Sequence, residues 1–276
     1  MIELAISSWT VHGALGAPWY EPDADGRMVN RAESQPAELS LLDLPAFIAD
    51  EGIKLLEICN FHLPSLEDSY LARLRANIEA AGGTLVNLLV DTGNLSAADN
   101  AIWRRDIEAA KRWQDIAVKL GARGVRLDCG TDAPSPAAIQ RSCDSLRELA
   151  DYGAGLGLHT STENWRATSV ESENLLQILD GVGRPLRLCV DFGNAAKTAD
   201  KYATLRALLP RATSLHCKGI FNGNALDVAE FKQALALVRA ADFRGHIALI
   251  CDGTEDEWRK ALALKDHVER ELMRAS

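Results

Sequence analysis

The sequence predicts a single (β/α)8 barrel of parallel strands with an extended loop between its first strand and first helix. Three observations carry this expectation. Short apolar runs alternate with amphipathic stretches eight times along 276 residues, the length and rhythm of eight βα units. No composition break or Ser/Gly linker divides the chain, so residues 1–276 read as one domain. Several of the apolar runs also end in polar residues, at the strand ends where a parallel barrel keeps its chemistry. A doubly wound sheet of eight strands is the rival architecture.

In order, the strand candidates are residues 2–8, 53–59, 84–90, 124–129, 156–163, 186–191, 212–217 and 246–251. The helices between them carry recognisable boundaries. Pro45 lies in the first turn of a helix that Gly52 ends; Ser65 precedes Glu67 and Asp68 at the start of the next, which Gly82 closes. Residues 99–120 form a long helical stretch stopped by Gly121, and Pro136 opens another that runs to Gly153. Residues 227–241 and 255–272 are helical in pattern. The one long irregular stretch, His12 to Ser40, holds Trp19, Tyr20 and three prolines on the catalytic face, which suits a lid or an oligomer contact.

A hydrophobic fraction of 47% is ample for a core, and a formal charge of −9 argues against nucleic-acid or anionic-membrane partners. The N-terminus has no basic region or long apolar stretch, which argues against a secretory signal, and no run reaches the ~18 apolar residues of a membrane span. Cys59, Cys129, Cys189, Cys217 and Cys251 fall in or beside strands without CxxC spacing. They read as buried thiols of a cytoplasmic protein.

Three polar residues each end a different strand run: Glu163, Asp191 and His216. Two carboxylates and an imidazole suit one divalent metal ion, Mn²⁺ or Mg²⁺ best and Zn²⁺ also. Strand alternation puts Glu163 with Ser161 and His159, Asp191 with Cys189, Lys218 with His216 and Ser214, and Glu57 with Leu55 and Cys59. Glu57 reads as a second base or as the partner of an inward Arg or Lys, and His62, just past strand 2, as a general acid. Arg126 would hold a substrate carboxylate or phosphate, or pair with Asp128 or Glu57. Trp9 and Trp165 on βα-loops would stack on a sugar or pack the wall, and Asn194 would bond a hydroxyl.

With these residues the chain resembles the sugar phosphate isomerase/epimerase group of xylose isomerase-like TIM barrels. That group includes tagatose 3-epimerase-like enzymes, inosose dehydratase and, more distantly, endonuclease IV. The resemblance lies in Glu163-Asn164, Asp191-Phe192-Gly193-Asn194, His216-Cys217-Lys218, Leu56-Glu57-Ile58, and Asp252-Gly253 with Asp256-Glu257-Trp258. It implies that Glu163, Asp191 and His216 are metal ligands, that Glu163 doubles as base, and that Lys218 is electrophile or acid. It also implies a fourth ligand and second base, a Glu near the end of strand 8, where this chain has Ile250. Asp252, two residues on, is the candidate substitute, with an exposed turn acid as its plain reading. Asn194 stands where many relatives have His, and too few histidines remain for a three-zinc nuclease site.

The resulting expectation is a metal-dependent isomerase or epimerase of a sugar or related polyhydroxy carbonyl compound, working through an enediolate. Two alternatives stand beside it: a lyase of the inosose dehydratase type, and a non-catalytic sugar-binding barrel with a decayed metal site. The partner is a small carbohydrate, and the group's habit of pairing suggests a homodimer.

Overall fold

The computed structural model describes residues 1–33 and 35–273. Eight parallel strands close into a barrel: β1 (Glu3–Ser7), β2 (Leu55–Cys59), β3 (Thr84–Val90), β4 (Gly124–Leu127), β5 (His159–Glu163), β6 (Arg187–Asp191), β7 (Ser214–Lys218) and β8 (His246–Ile250). Each neighbours the next in sequence, and β8 returns to β1 with Glu3 opposite His246. Closure leaves no unpaired sheet edge, which excludes the doubly wound alternative.

Around it lie α1 (Leu44–Ala49), α2 (Asp68–Ala80), α3 (Asn100–Lys119), α4 (Pro136–Gly155), α5 (Ser172–Gly181), α6 (Lys201–Leu208), α7 (Val228–Ala240) and α8 (Glu257–Val268). Their starts are fixed by local chemistry. Asp99 accepts from the amides of Ala101 and Ile102, Ser135 from Ala138, and Asp200 from Tyr202 and Ala203. At the other end of α3, Gly121 has φ +72°, a left-handed conformation that a residue with a Cβ resists.

Strand alternation divides the buried side chains into two sets. Ile6, Leu56, Ile58, Leu88, Val125, Val190, Leu215 and Leu249 point outward into the main core beneath the helices. Ala5, Leu55, Val86, Ala248 and Ile250 point inward and form a separate small cluster. Between Leu56 and Glu57 the β2–β3 register shifts, so that Leu56 faces Leu85 but Glu57 faces Asn87. The bulge sets Asn87 beside Glu57, and its Nδ2 donates to Glu57 Oε1 at 2.8 Å.

The expected irregular stretch from His12 to Ser40 is partly ordered by pairing. Tyr20–Pro22 and Met28–Asn30 form a small antiparallel ribbon, and Ser34 lies outside the described residues. No helix among the described residues is long and apolar enough to cross a membrane.

Candidate active site

At the C-terminal mouth of the barrel is a cavity of about 290 Å³, reached by strands from all around the ring. Its floor centres on His216. The imidazole Nε2 lies 2.8 Å from Glu57 Oε2, while Nδ1 faces Glu163 Oε2 at 3.3 Å and Asp191 Oδ2 at 3.6 Å. All four side chains are almost wholly buried. Asn164 fastens the ends of β5 and β6 together: its Nδ2 donates to the Asp191 carbonyl and its Oδ1 accepts the Asp191 amide. Asn194 donates from Nδ2 to Glu163 Oε1 at 2.8 Å, and its backbone amide donates to Asp191 Oδ1 at 2.6 Å. Gly193 leaves room beside them, since a Cβ there would come within 2.6 Å of Lys218 Cδ.

The cations are distributed around these acids. Arg126 Nε is 3.2 Å from Glu163 Oε2 and its Nη1 is 2.5 Å from Asp91 Oδ1. Lys218 Nζ lies 3.6 Å from Asp191 Oδ2 and 3.2 Å from Asp252 Oδ1. For Glu57, Asp191, His216 and Lys218, burial disfavours the charged form but pairing outweighs it. Burial would raise Glu57, yet His216 and His246 hold it well below the usual carboxylate range. Burial likewise opposes ionisation of Asp191, but Lys218 and His216 bring it down to about 2. His216 is held well above its ordinary value by Cys189, Glu163 and Glu57 against the effect of burial. Lys218 is raised by Asp191 and Asp252 in the same way, so it is a fixed positive charge rather than a ready proton donor near neutral pH.

The other side of the cavity is apolar. Trp9, Trp19, Phe61, Leu89 and Ile250 line it, with Ser7 and Cys59 at the foot. Trp19 stacks on Phe61 with ring centroids 4.0 Å apart and planes 11° from parallel. Trp165 closes the cavity near β5, with the Arg166 guanidinium 4.3 Å and that of Arg126 5.3 Å from its ring centroid.

Several expectations need correction. Glu57 is 0% exposed and is not among the residues lining the cavity; it lies against His216 and also meets His246 Nε2 at 3.2 Å, so its partners are two histidines and not the expected Arg or Lys. His62 is not among the residues lining the cavity. Its Nδ1 is 2.7 Å from Ser8 Oγ and its Nε2 is 2.8 Å from His12 Nδ1, behind the apolar wall. Arg126 pairs with Asp91 and Glu163, not with Asp128 or Glu57, because Asp128 is turned to Arg166 at 2.7 Å. Asn194 is occupied by Glu163 and by the Lys197 ammonium rather than held free for a hydroxyl. Asp252 lines the cavity but accepts from Trp9 Nε1 at 3.0 Å and pairs with Lys218; its side chain is 63% exposed.

Sequence reasoning gave Asp91, Phe61 and His246 no role, and took Trp19 only as part of a lid or oligomer contact and Cys189 only as the companion of Asp191 on its strand face. Asp91 directly follows the apolar run of β3, the same signal that marked Glu163. The others depend on barrel closure and loop packing, which no local pattern carries.

The donor set fits a divalent cation. Glu163, Cys189 and His216 can each offer one ligand atom, all within 4.8 Å of one another. Asp191 Oδ2 stands on the same side of the imidazole. Glu163 Oε2 is buried without a hydrogen bond among the described residues; its contacts are the charges of Arg126 Nε at 3.2 Å and His216 Nδ1 at 3.3 Å, so a bound ion would give it a direct partner. The Glu57 contact at Nε2 leaves Nδ1 of a neutral His216 available, the carboxylate–histidine arrangement that orients metal-binding imidazoles. Burial raises the Cys189 thiol above its usual range, so oxygen and imidazole donors dominate the set.

Solved structures share this architecture. One described as L-ribulose 3-epimerase superposes with a TM-score of 0.69 at 15% identity, covering 100% of both chains. D-allulose 3-epimerase from Methylomonas sp. gives 0.69 at 17% identity over 98% of each chain. A xylose isomerase-like TIM barrel protein from Mycobacterium smegmatis, in complex with magnesium, gives 0.68 at 15% identity over 98% of this chain and 96% of its own. At such identities the likeness is one of fold, and no curated protein matches in sequence. Residues 45–267 do match a family profile, that of the xylose isomerase-like TIM barrel, and the chain belongs to that family.

Proposed function

We propose that this protein is a metal-dependent isomerase or epimerase of a sugar or related polyhydroxy carbonyl compound, acting through an enediolate with Glu163 as base. The observation that carries the reading is Glu163 Oε2, buried at the cavity floor without a hydrogen bond among the described residues and beside His216 Nδ1 at 3.3 Å and Asp191, with Arg126 Nε at 3.2 Å as its charge partner. Glu163, Asp191 and His216 would hold the ion. When bound, a divalent metal supplies a Lewis acid for the substrate carbonyl and its neighbouring hydroxyl.

The chain's own groups supply the rest. Glu163 removes the proton from the carbon beside the carbonyl; the C–H electrons form the carbon–carbon double bond, and the carbonyl oxygen takes up negative charge. Asn194 donates to one carboxylate oxygen and so fixes the plane of the Glu163 carboxylate. Lys218, fixed as a cation, faces the developing oxyanion. Return of the proton to the former carbonyl carbon, as the neighbouring hydroxyl passes its own proton to the former carbonyl oxygen and becomes the new carbonyl, completes an isomerisation. The aromatic wall excludes water from the enediolate.

One observation favours a second reading. Ile250, 2% exposed, occupies the wall opposite Glu163, where epimerisation would need a group to deliver a proton from the other face. A lyase expels a β-hydroxyl after the same first step and needs one base only.

The test is elemental analysis of the purified protein, followed by Mn²⁺ titration of the stripped form and NMR in D₂O with ketoses, inositols and sugar acids. About one ion per chain, and deuterium entering beside the carbonyl, is the expected result. Absence of metal and of Mn²⁺ uptake would overturn the reading, and a product lighter by one water that keeps its carbonyl and lacks the β-hydroxyl would select the lyase.

A further inference from the structure

The wall facing Glu163 has spent its polar atoms. Trp9 Nε1 donates to Asp252 and Trp19 Nε1 to Glu21, at 3.0 and 3.1 Å. Phe61, Leu89 and Ile250 have none to give and are each no more than 2% exposed. Ser7 Oγ accepts the Trp9 amide and lies 4.0 Å from the Cys59 thiol, so the two small groups at the foot are turned to one another. These side chains form two apolar clusters separate from the main core, one around Ile250 and one around Phe61, and Trp9 packs against both. Between Ser7 and Cys59 at its foot and Asp252 at its rim, the wall is therefore one continuous apolar surface. Substrate hydroxyls are stripped of water on entering, and against this surface they find no replacement partner. A methyl group or hydrocarbon face there is stabilised by burial alone.

We infer that the substrate is deoxygenated at one end: a hydroxy-carbonyl compound whose chain, beyond the reacting carbon pair, ends in a methyl or similar apolar group lodged against β8, β1, β2 and Leu89 of β3. Which end of the molecule meets the wall rests on the reading of Glu163 as the enolising base. The cavity, about 290 Å³, lies at the small end of ligand pockets (~300–1,000 Å³), so the compound is of monosaccharide size or smaller.

The experiment is calorimetric titration of the Mn²⁺-treated protein with ketohexose stereoisomers, each paired with its 6-deoxy counterpart. The tightest binder should be a 6-deoxy sugar, about tenfold or more tighter than its hydroxylated partner. Ile250→Thr, which puts a hydroxyl in place of the ethyl arm, should bring that ratio toward one, while Ile250→Val, which shortens the same arm without a polar atom, should keep it. Equal or tighter binding of the hydroxylated sugar in every pair overturns the inference, as does failure of every 6-deoxy sugar to bind. The two readings fail separately. Mn²⁺ uptake and deuterium exchange without a deoxy preference sink this inference alone. A deoxy preference in protein that takes up no Mn²⁺ leaves it standing and sinks the metalloenzyme.

Discussion

The arc from Asp91 through β7 and the arc from β8 through β2 enclose the same cavity on opposite physical terms. On the first, Asp91, Arg126, Glu163, Asp191, His216 and Lys218 are buried or nearly so and held in reciprocal pairs. On the second, Trp9, Phe61 and Ile250 meet the cavity as hydrocarbon and aromatic surface. Burying charge costs several kcal/mol per ion unless partners are well placed, and a barrel that needed only stability would fill both arcs like the second. The charged arc is thus the part of the mouth that packing does not account for. Under the proposed function, proton transfer comes from one side.

The comparison can be broken most decisively at Glu163. Glu163→Gln keeps the shape of the charged arc and removes its base, so turnover should fall ~10²–10⁴-fold, read as deuterium exchange by NMR. A variant that exchanges at the wild-type rate would move the base elsewhere. Next in size is Glu57→Ala, which leaves His216, His246 and Asn87 without their shared carboxylate. Chemical denaturation should show a loss of about 3–5 kcal/mol, and Mn²⁺ affinity should drop ~10–100-fold. If affinity holds while stability falls, Glu57 supports the barrel and not the ion.

Ile250→Glu carries the character of one arc into the other. The metal-free variant should unfold at lower denaturant, because its new carboxylate is buried in the apolar cluster around Ala248. Mn²⁺ at about 100 times its Kd should restore ~2.7 kcal/mol. No recovery with Mn²⁺ would mean that β8 lies out of reach of the ion. The smallest effect is behind the apolar arc, where burial lowers the pKa of His62 well below its ordinary value, helped by His12. The unfolded chain therefore binds a proton near pH ~6.5 that the native state resists. Stability is full above that pH and declines as pH falls toward the native pKa, by at most ~1.4 kcal/mol per pH unit for this one group. His62→Gln should flatten that decline in denaturation curves taken between pH 7 and 5, and an unchanged slope would assign the acid sensitivity to other groups.

Strand positions and the charged arc were legible because both follow from local rules. The expected run 84–90 and the observed β3 (Thr84–Val90) coincide, and Glu163, Asp191 and His216 were found as polar ends of apolar runs. Period-two alternation gives the face of a side chain but not its height in a tilted barrel. Glu57 was therefore assigned to the right face and the wrong level. His246 begins its strand and so gave no sign of function, yet closure brings its Nε2 to Glu57 Oε1, 189 residues away in sequence. The apolar arc was half hidden for another reason. Trp19 and Phe61 come from a loop ribbon and a short turn, and their stacking depends on packing between segments that no periodicity links.

All six cysteines are reduced and buried, and only Cys59 lines the cavity, with its thiol pushed up to about 12 by burial and by Asp91. The chain consequently carries its own set of timers. A thiol-selective reagent gains access to five of the sulfurs only through openings of the fold, so their labelling rates report the free energies of those openings. At Cys59 the same reagent must compete with whatever fills the cavity. A compound that slows labelling there and nowhere else announces itself as an occupant, with no assay of turnover required.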